Sequence, residues 1–175
     1  MKKILSLFVL LALISCAKKD KDEEPEVQPL DVLYSFDNAA AIDAWNITTP
    51  NDAIVTIDNQ DKVAGTGSLK VYSGCCVLEL KSGIPLKLNT EYGLTINGKR
   101  TPYGPNDTVC AFPYALGLYV IQGDQEIFAE SFGDSPNWKT DNFYFNSQES
   151  DEPVTLRIMV NTKEAWIDEL RFEEI

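Results

Sequence analysis

Thr155-Leu156-Arg157-Ile158-Met159-Val160 decides the fold class. Leucine, isoleucine and valine fall on one side of an extended chain, and threonine, arginine and methionine on the other. That is the period-two pattern of a strand with one face in a core. The same alternation returns downstream, where Leu170 and Phe172 share a side of the segment Ala165–Phe172. Upstream, β-branched and aromatic runs occupy 31–36, 54–58, 68–72, 76–80, 92–96, 109–121, 126–132 and 142–146, and 154–161 completes the set. Turn chemistry separates them: Gly65-Thr66-Gly67, Ser82-Gly83, Asn97-Gly98, Gly123-Asp124 and Gly133-Asp134-Ser135-Pro136. A helical period is limited to residues 39–45, which make one or two turns capped by Asn38. About ten short strands in roughly 145 residues predict an all-β, antiparallel β-sandwich rather than a barrel.

Outside this domain the composition changes. Lys2 and Lys3 precede an apolar run from Ile4 to Ile14, and Leu13-Ile14-Ser15-Cys16 follows at its end. A charged start, a short apolar centre and small residues describe a secretory leader. The run is shorter than the roughly 20 residues a membrane-spanning helix needs. The last four residues resemble the lipobox of bacterial lipoproteins, which implies acylation of Cys16 and an anchor of lipid alone. Residues 17–29 are charged and proline-bearing, and cannot bury enough surface to offset the entropy of ordering them. The expected plan is a signal peptide over 1–15, a tether over 16–29 and one domain over 30–175. The acidic tether resembles the export tails of some surface lipoproteins. It implies the outer membrane, facing the cell surface or else the periplasm.

The chain has 27 acidic and 15 basic residues, a formal charge of −12, and no histidine. An acidic balance argues against nucleic acid, whose phosphates need a basic surface. Lack of histidine removes Ser-His-Asp and Cys-His nucleophiles and histidine zinc sites. A hydrolase or lyase working with paired carboxylates remains open, but no pair among so many acids stands out.

Three cysteines follow Cys16. In a strand, Cys76 shares a side with Leu78 and Leu80 while Cys75 points the other way, and Cys110 shares a side with Phe112, Leu116 and Leu118. A core bridge between Cys76 and Cys110 suits this pattern. A vicinal Cys75–Cys76 bridge and three free thiols are the alternatives.

Five patterns run in order along the domain: Tyr34-Ser35-Phe36-Asp37 with Trp45, Gly65-Thr66-Gly67-Ser68-Leu69-Lys70-Val71, and Leu88-Asn89-Thr90-Glu91-Tyr92-Gly93-Leu94. Trp138 to Phe145 and Ala165 to Phe172 follow. The set resembles the galactose-binding-like jelly-roll domains, which include many carbohydrate-binding modules. The resemblance implies a structural calcium ion held by Asp37 and Asp168, with backbone carbonyls near residues 62–68; the alternative is that Asp168 pairs with a lysine or accepts backbone hydrogen bonds. It also implies core packing for Trp45 and Trp138.

A candidate sugar site lies in the loop after Asn97, the alternative being an ordinary long loop whose tyrosine packs on the scaffold. Tyr103 is held between Pro102 and Gly104, beside Arg100, Asn106 and Asp107, and Trp166 offers a second ring. Aromatic faces stack on sugar C–H faces while polar groups take hydroxyls. The expected function is a non-catalytic, surface-anchored module that binds polysaccharide or another glycan. The alternative is a structural module of the cell envelope that binds other envelope proteins and no sugar.

Overall fold

The computed structural model describes residues 28–50, 53–102, 110–147, 149–150 and 152–175. Cys16, residues 1–27, Tyr103, Asn106 and Asp107 lie outside the described residues. The elements are β1 (Asp31–Tyr34), α1 (Ala39–Ile42), β2 (Trp45–Thr48), β3 (Ile54–Asp58), β4 (Ser68–Leu80) and β5 (Glu91–Thr101). Then come β6 (Leu116–Gln122), β7 (Gln125–Ser131), β8 (Lys139–Asn146) and β9 (Val154–Glu174). All strand pairs are antiparallel. The fold is the expected antiparallel β-sandwich of jelly-roll type, and Asn38 caps α1 through Ala40 N–H at 3.0 Å.

Two long strands belong to both layers. The four segments expected at 68–72, 76–80, 154–161 and 165–172 are two continuous strands, β4 and β9, paired from Leu69↔Ile167 to Glu79↔Arg157. The front layer runs β3-β4-β9-β5-β8, using the first half of β4 and the second half of β9. β1 continues beside β9 at residues 170–173. The back layer runs β2-β4-β9-β6-β7, using the other halves. The core-facing parity changes with the layer. Leu69 and Val71 are buried in front, and Cys76, Leu78 and Leu80 behind. On β9, Val154, Leu156, Ile158 and Val160 give way to Ala165 and Ile167. The parity changes at irregular backbone, at Gly74 (φ +151°) on β4 and again at Glu169 on β9, after which Leu170 and Phe172 are the buried residues.

The core is apolar and aromatic. Tyr92 stacks on Phe172 at 5.4 Å and on Phe145 at 5.8 Å. Trp45 is buried against Phe36 as expected, and its strand β2 is an addition to the expected set. β6 begins at Leu116, well after the expected 109, because 110–115 form an irregular segment that carries Pro113.

The disulfide differs from the expected core bridge. Cys75, not Cys76, pairs with Cys110, with Cα atoms 6.2 Å apart. Cys76 does face the core beside Leu78, and for that reason cannot reach Cys110. Cys110 lies on the outer side, where its N–H donates to Asn161 Oδ1 at 3.0 Å and its carbonyl accepts from Asn161 Nδ2 at 2.9 Å. Asn161 is the cross-strand partner of Cys75. Burial pushes the Cys76 thiol up to about 12, so it is an inert core residue.

Candidate functional site

The outer face of the front sheet carries the site, and it has two parts. Side chains on this face come from alternate positions: Lys70 and Tyr72 on β4, Trp166 and Glu164 on β9, and Thr95, Asn97 and Lys99 on β5.

Around Trp166 the face is closed. Lys70 and Lys99 are its cross-strand neighbours, and their ammonium groups lie 4.6 and 4.5 Å from the centre of its ring. Lys99 also lies 5.2 Å from the Trp138 ring and pairs with Asp61. The indole N–H of Trp138 donates to Asp61 Oδ1 at 3.0 Å, and that of Trp166 donates to Asp58 Oδ2 at 3.0 Å. The Trp166 bond is the main reason the Asp58 carboxyl is held below the usual carboxylate range. Trp138 is therefore a half-buried outer-face residue, not the expected core tryptophan. Both rings already have cations over them, a contact of about 0.5–2 kcal/mol. Arg100 does not join Trp166. It sits opposite core-facing Ala165, and its Nε donates to Asp134 at 2.9 Å.

The segment between β3 and β4 closes over this end and engages both acids of the expected calcium site. Asp168 is 1% exposed, and its Oδ2 accepts from Val63 N–H at 2.8 Å and Ala64 N–H at 3.0 Å. Asp37 accepts from Thr66 N–H, the chief reason its carboxyl lies below the usual range. Gly65 allows this approach, since a Cβ there would sit 1.8 Å from Asp37 Oδ1 and its φ is +57°. The two acids do meet one loop. That loop turns N–H groups toward them where a calcium shell needs carbonyl oxygens, and no cluster of three acids gathers among the described residues. This donor set does not fit calcium.

Further along the same face lies an open groove of about 410 Å³, lined by Asp31, Leu33, Thr95, Asn97, Glu169 and Arg171. Arg171 holds Asp31 bidentately, Nε to Oδ1 at 2.9 Å and Nη2 to Oδ2 at 2.8 Å, and lies 3.4 Å from Glu173. The guanidinium keeps the Asp31 carboxyl low. Thr95 Oγ1 donates to Asn142 Oδ1 at 2.9 Å, which fixes the groove floor. The register of β5 on β9 shifts between Thr95 and Asn97, and Glu169 at this irregularity has φ +46°. A glutamate is costly to hold there, and such bulges re-aim a side chain. The Glu169 carboxylate has no hydrogen bond or ion pair among the described residues. At the far end Tyr144 is 62% exposed opposite Gly93, and at the near end Tyr72 is 42% exposed. At about 3.3 Å per residue and 4.8 Å per strand, the two tyrosines are roughly 30 Å apart. Sequence patterns mark none of the six groove residues as a binding residue, and Asn97, read there as part of a turn, lies inside β5. Asp31, Thr95 and Arg171 are ordinary strand residues until register assembles them.

No family model and no curated protein matches the chain. Solved structures do match in fold. The CBM22-1–GH10 modules of Clostridium thermocellum endo-1,4-β-D-xylanase 10B, complexed with xylohexaose, align at 16% identity and TM-score 0.58. The alignment covers 82% of this chain and 28% of that one. A family 16 carbohydrate-binding module aligns at 14% and TM-score 0.58, covering 79% and 97%. A Stig cyclase from Fischerella sp. TAU aligns at 18% and TM-score 0.54, covering 87% and 92%. The match thus spans under a third of the xylanase chain and nearly all of the other two. The fold is that of jelly-roll carbohydrate-binding modules, and an enzyme shares it.

Proposed function

We propose that this chain is a non-catalytic carbohydrate-binding module that lays a glycan along the outer face of the front sheet. The observation that carries the reading is the open groove with an unpaired carboxylate. Glu169, Asp31, Arg171, Asn97 and Thr95 supply acceptors and donors for hydroxyls, and Tyr144 offers an exposed ring at one end. A strip of this length suits an oligosaccharide rather than one sugar. Structures with this fold include complexes with xylohexaose and with β-1,4-galactotriose, which supports the ligand class without identifying the sugar. The groove is net acidic, which favours uncharged glycans over uronates.

Catalysis by carboxylates is the weaker reading. A general acid needs a raised pKa, yet Asp31, Asp37, Asp58 and Glu174 are all displaced downward. The envelope-protein reading stands as the outcome if no glycan binds. Attachment through acylated Cys16 to the bacterial outer membrane completes the proposal, resting on the leader and its lipobox. Cys16→Ser moving the protein from the membrane to the soluble fraction would support it.

The test is a polysaccharide panel against the purified chain, read by calorimetry and repeated with Glu169→Gly. Glycine accepts the left-handed backbone, so this variant should gain about 0.5–1 kcal/mol of stability. It should bind glycan several-fold more weakly. A folded protein that binds no polysaccharide would sink the proposal.

A further inference from the structure

We infer that the front groove selects an N-acetylated amino sugar, whose acetamido group lies between Asn97 and Glu169 with its methyl on Leu33. The inference rests on the carbohydrate-binding reading and names the ligand class of the same site. Its starting observation is Asn97, which is 6% exposed and lines the groove from β5. Its Oδ1 accepts from the hydroxyl of Thr140, the cross-strand partner on β8, at 2.5 Å. That bond fixes which way the amide points. The Asn97 Nδ2 has no partner among the described residues, yet it is not sealed from solvent. A donor held in this way at the wall of an open groove is ready for an acceptor on a ligand.

The neighbouring strand supplies the opposite group. Asp168 faces Asn97 in the β5–β9 register, and at the shift that follows, β9 has Glu169 and Leu170 against Ile96 alone. Leu170 is buried in the core, so Glu169 is the one that turns to the groove. Its carboxylate has no hydrogen bond or ion pair among the described residues. The two backbones are one strand spacing apart, ~5 Å. The other polar groups of the groove are engaged: Arg171 and Asp31 hold each other, and Thr95 donates to Asn142. Leu33, 55% exposed, is the apolar member of the lining.

One donor, one acceptor and one apolar surface are thus left to a ligand. A trans secondary amide is their complement, because its N–H and C=O leave from opposite edges and it fits between an acceptor and a donor. An acetamido group also ends in a methyl, which covers Leu33. A hydroxyl could join Asn97 to Glu169 but would leave Leu33 in water. An ammonium group would give Asn97 no acceptor, and a uronate carboxylate would be repelled by Glu169. The acetamido group is the sugar substituent that uses all three.

The test is calorimetry of the full chain with β-1,4-linked tetramers that differ only in the substituent on the second ring carbon. These are the tetramers of N-acetylglucosamine, of glucose and of glucosamine, the last in high salt to screen its charge. N-acetylgalactosamine is compared with galactose in the same way. In at least one pair the acetylated sugar should bind about tenfold more tightly than its parent. Leu33→Ala should cut that preference about three- to fivefold with little change in melting temperature, and Asn97→Asp should abolish it. Should the Asn97→Asp variant fail to fold, Glu169→Gln keeps the side-chain shape and should lower the preference about two- to fivefold. No gain from the acetyl group in either pair would overturn the inference, while polysaccharide binding would keep the wider reading intact. Tighter binding of the glucosamine tetramer in high salt would also overturn it. So would a preference that survives Leu33→Ala together with the Asn97 or Glu169 change. A folded chain that binds none of these sugars and no polysaccharide would remove both readings.

Discussion

Two stretches of one sheet face, a few residues apart on β9, treat their functional groups in opposite ways. Around Trp166 every group is engaged: two lysines cover the ring, its N–H reaches Asp58, and Asp61 holds both Lys99 and Trp138. Around Glu169 the carboxylate has no partner and the backbone is strained to present it. A tryptophan on a binding face is therefore not in itself a binding tryptophan. What matters is whether its faces and its N–H are already occupied. The closed end fixes the loop over β9, and the open end is where the proposed glycan would lie.

The hardest blow to the closed end is Asp168→Ala. It orphans the N–H groups of Val63 and Ala64, and thermal unfolding should show a loss of about 3 kcal/mol, with Asp168→Asn milder. Trp166→Ala should cost about 2 kcal/mol by removing two cation contacts and one hydrogen bond, yet leave glycan affinity within about twofold. A large affinity loss with unchanged stability would erase the distinction between the two ends. Tyr144→Ala should do the reverse, weakening polysaccharide about tenfold in calorimetry with little change in melting temperature.

Smaller effects sharpen the same contrast. Asp31, Asp37, Asp58 and Glu174 have folded pKa values below their unfolded ones. Their stabilisation is therefore complete above the unfolded values, near pH 4–5, and is lost as pH falls through the folded ones. Tyr34, Tyr119 and Cys76 are shifted upward by burial, so the unfolded chain ionises first and stability falls again above about pH 9. With no histidine, denaturation midpoints should be flat from about pH 5 to 8. Smallest of all is the response to calcium. Millimolar calcium or a chelator should move the melting temperature by less than about 1 °C, and a larger shift would show that the 63–66 amides yield to a cation.

The layer plan is legible in the sequence because alternation survives inside each half of β4 and β9. Continuity across the halves is not, since the parity reversal between Val71 and Cys76 looks like a turn. The cysteine pairing is hidden by a related irregularity. Alternation puts Cys76 in the core, where it is, but it also puts Cys110 in a strand that begins only at Leu116. The groove is illegible for a different reason. Its residues are 31, 33, 95, 97, 169 and 171, drawn from three strands by register alone. The bulge at Glu169 carries no glycine to announce it. Of the four loop residues expected to bind the sugar, only Arg100 is among the described residues, and it pairs with Asp134.

β9 also sets the order of assembly. It pairs with β1, β4, β5 and β6 and stands in both layers, so neither sheet is complete until residues 154–174 are available. Most of those pairings are distant in sequence, which makes folding slow and confines it to the period after the strand has been synthesised. A chain held open until β9 emerges stays threadable, as the export proposed from the leader would require.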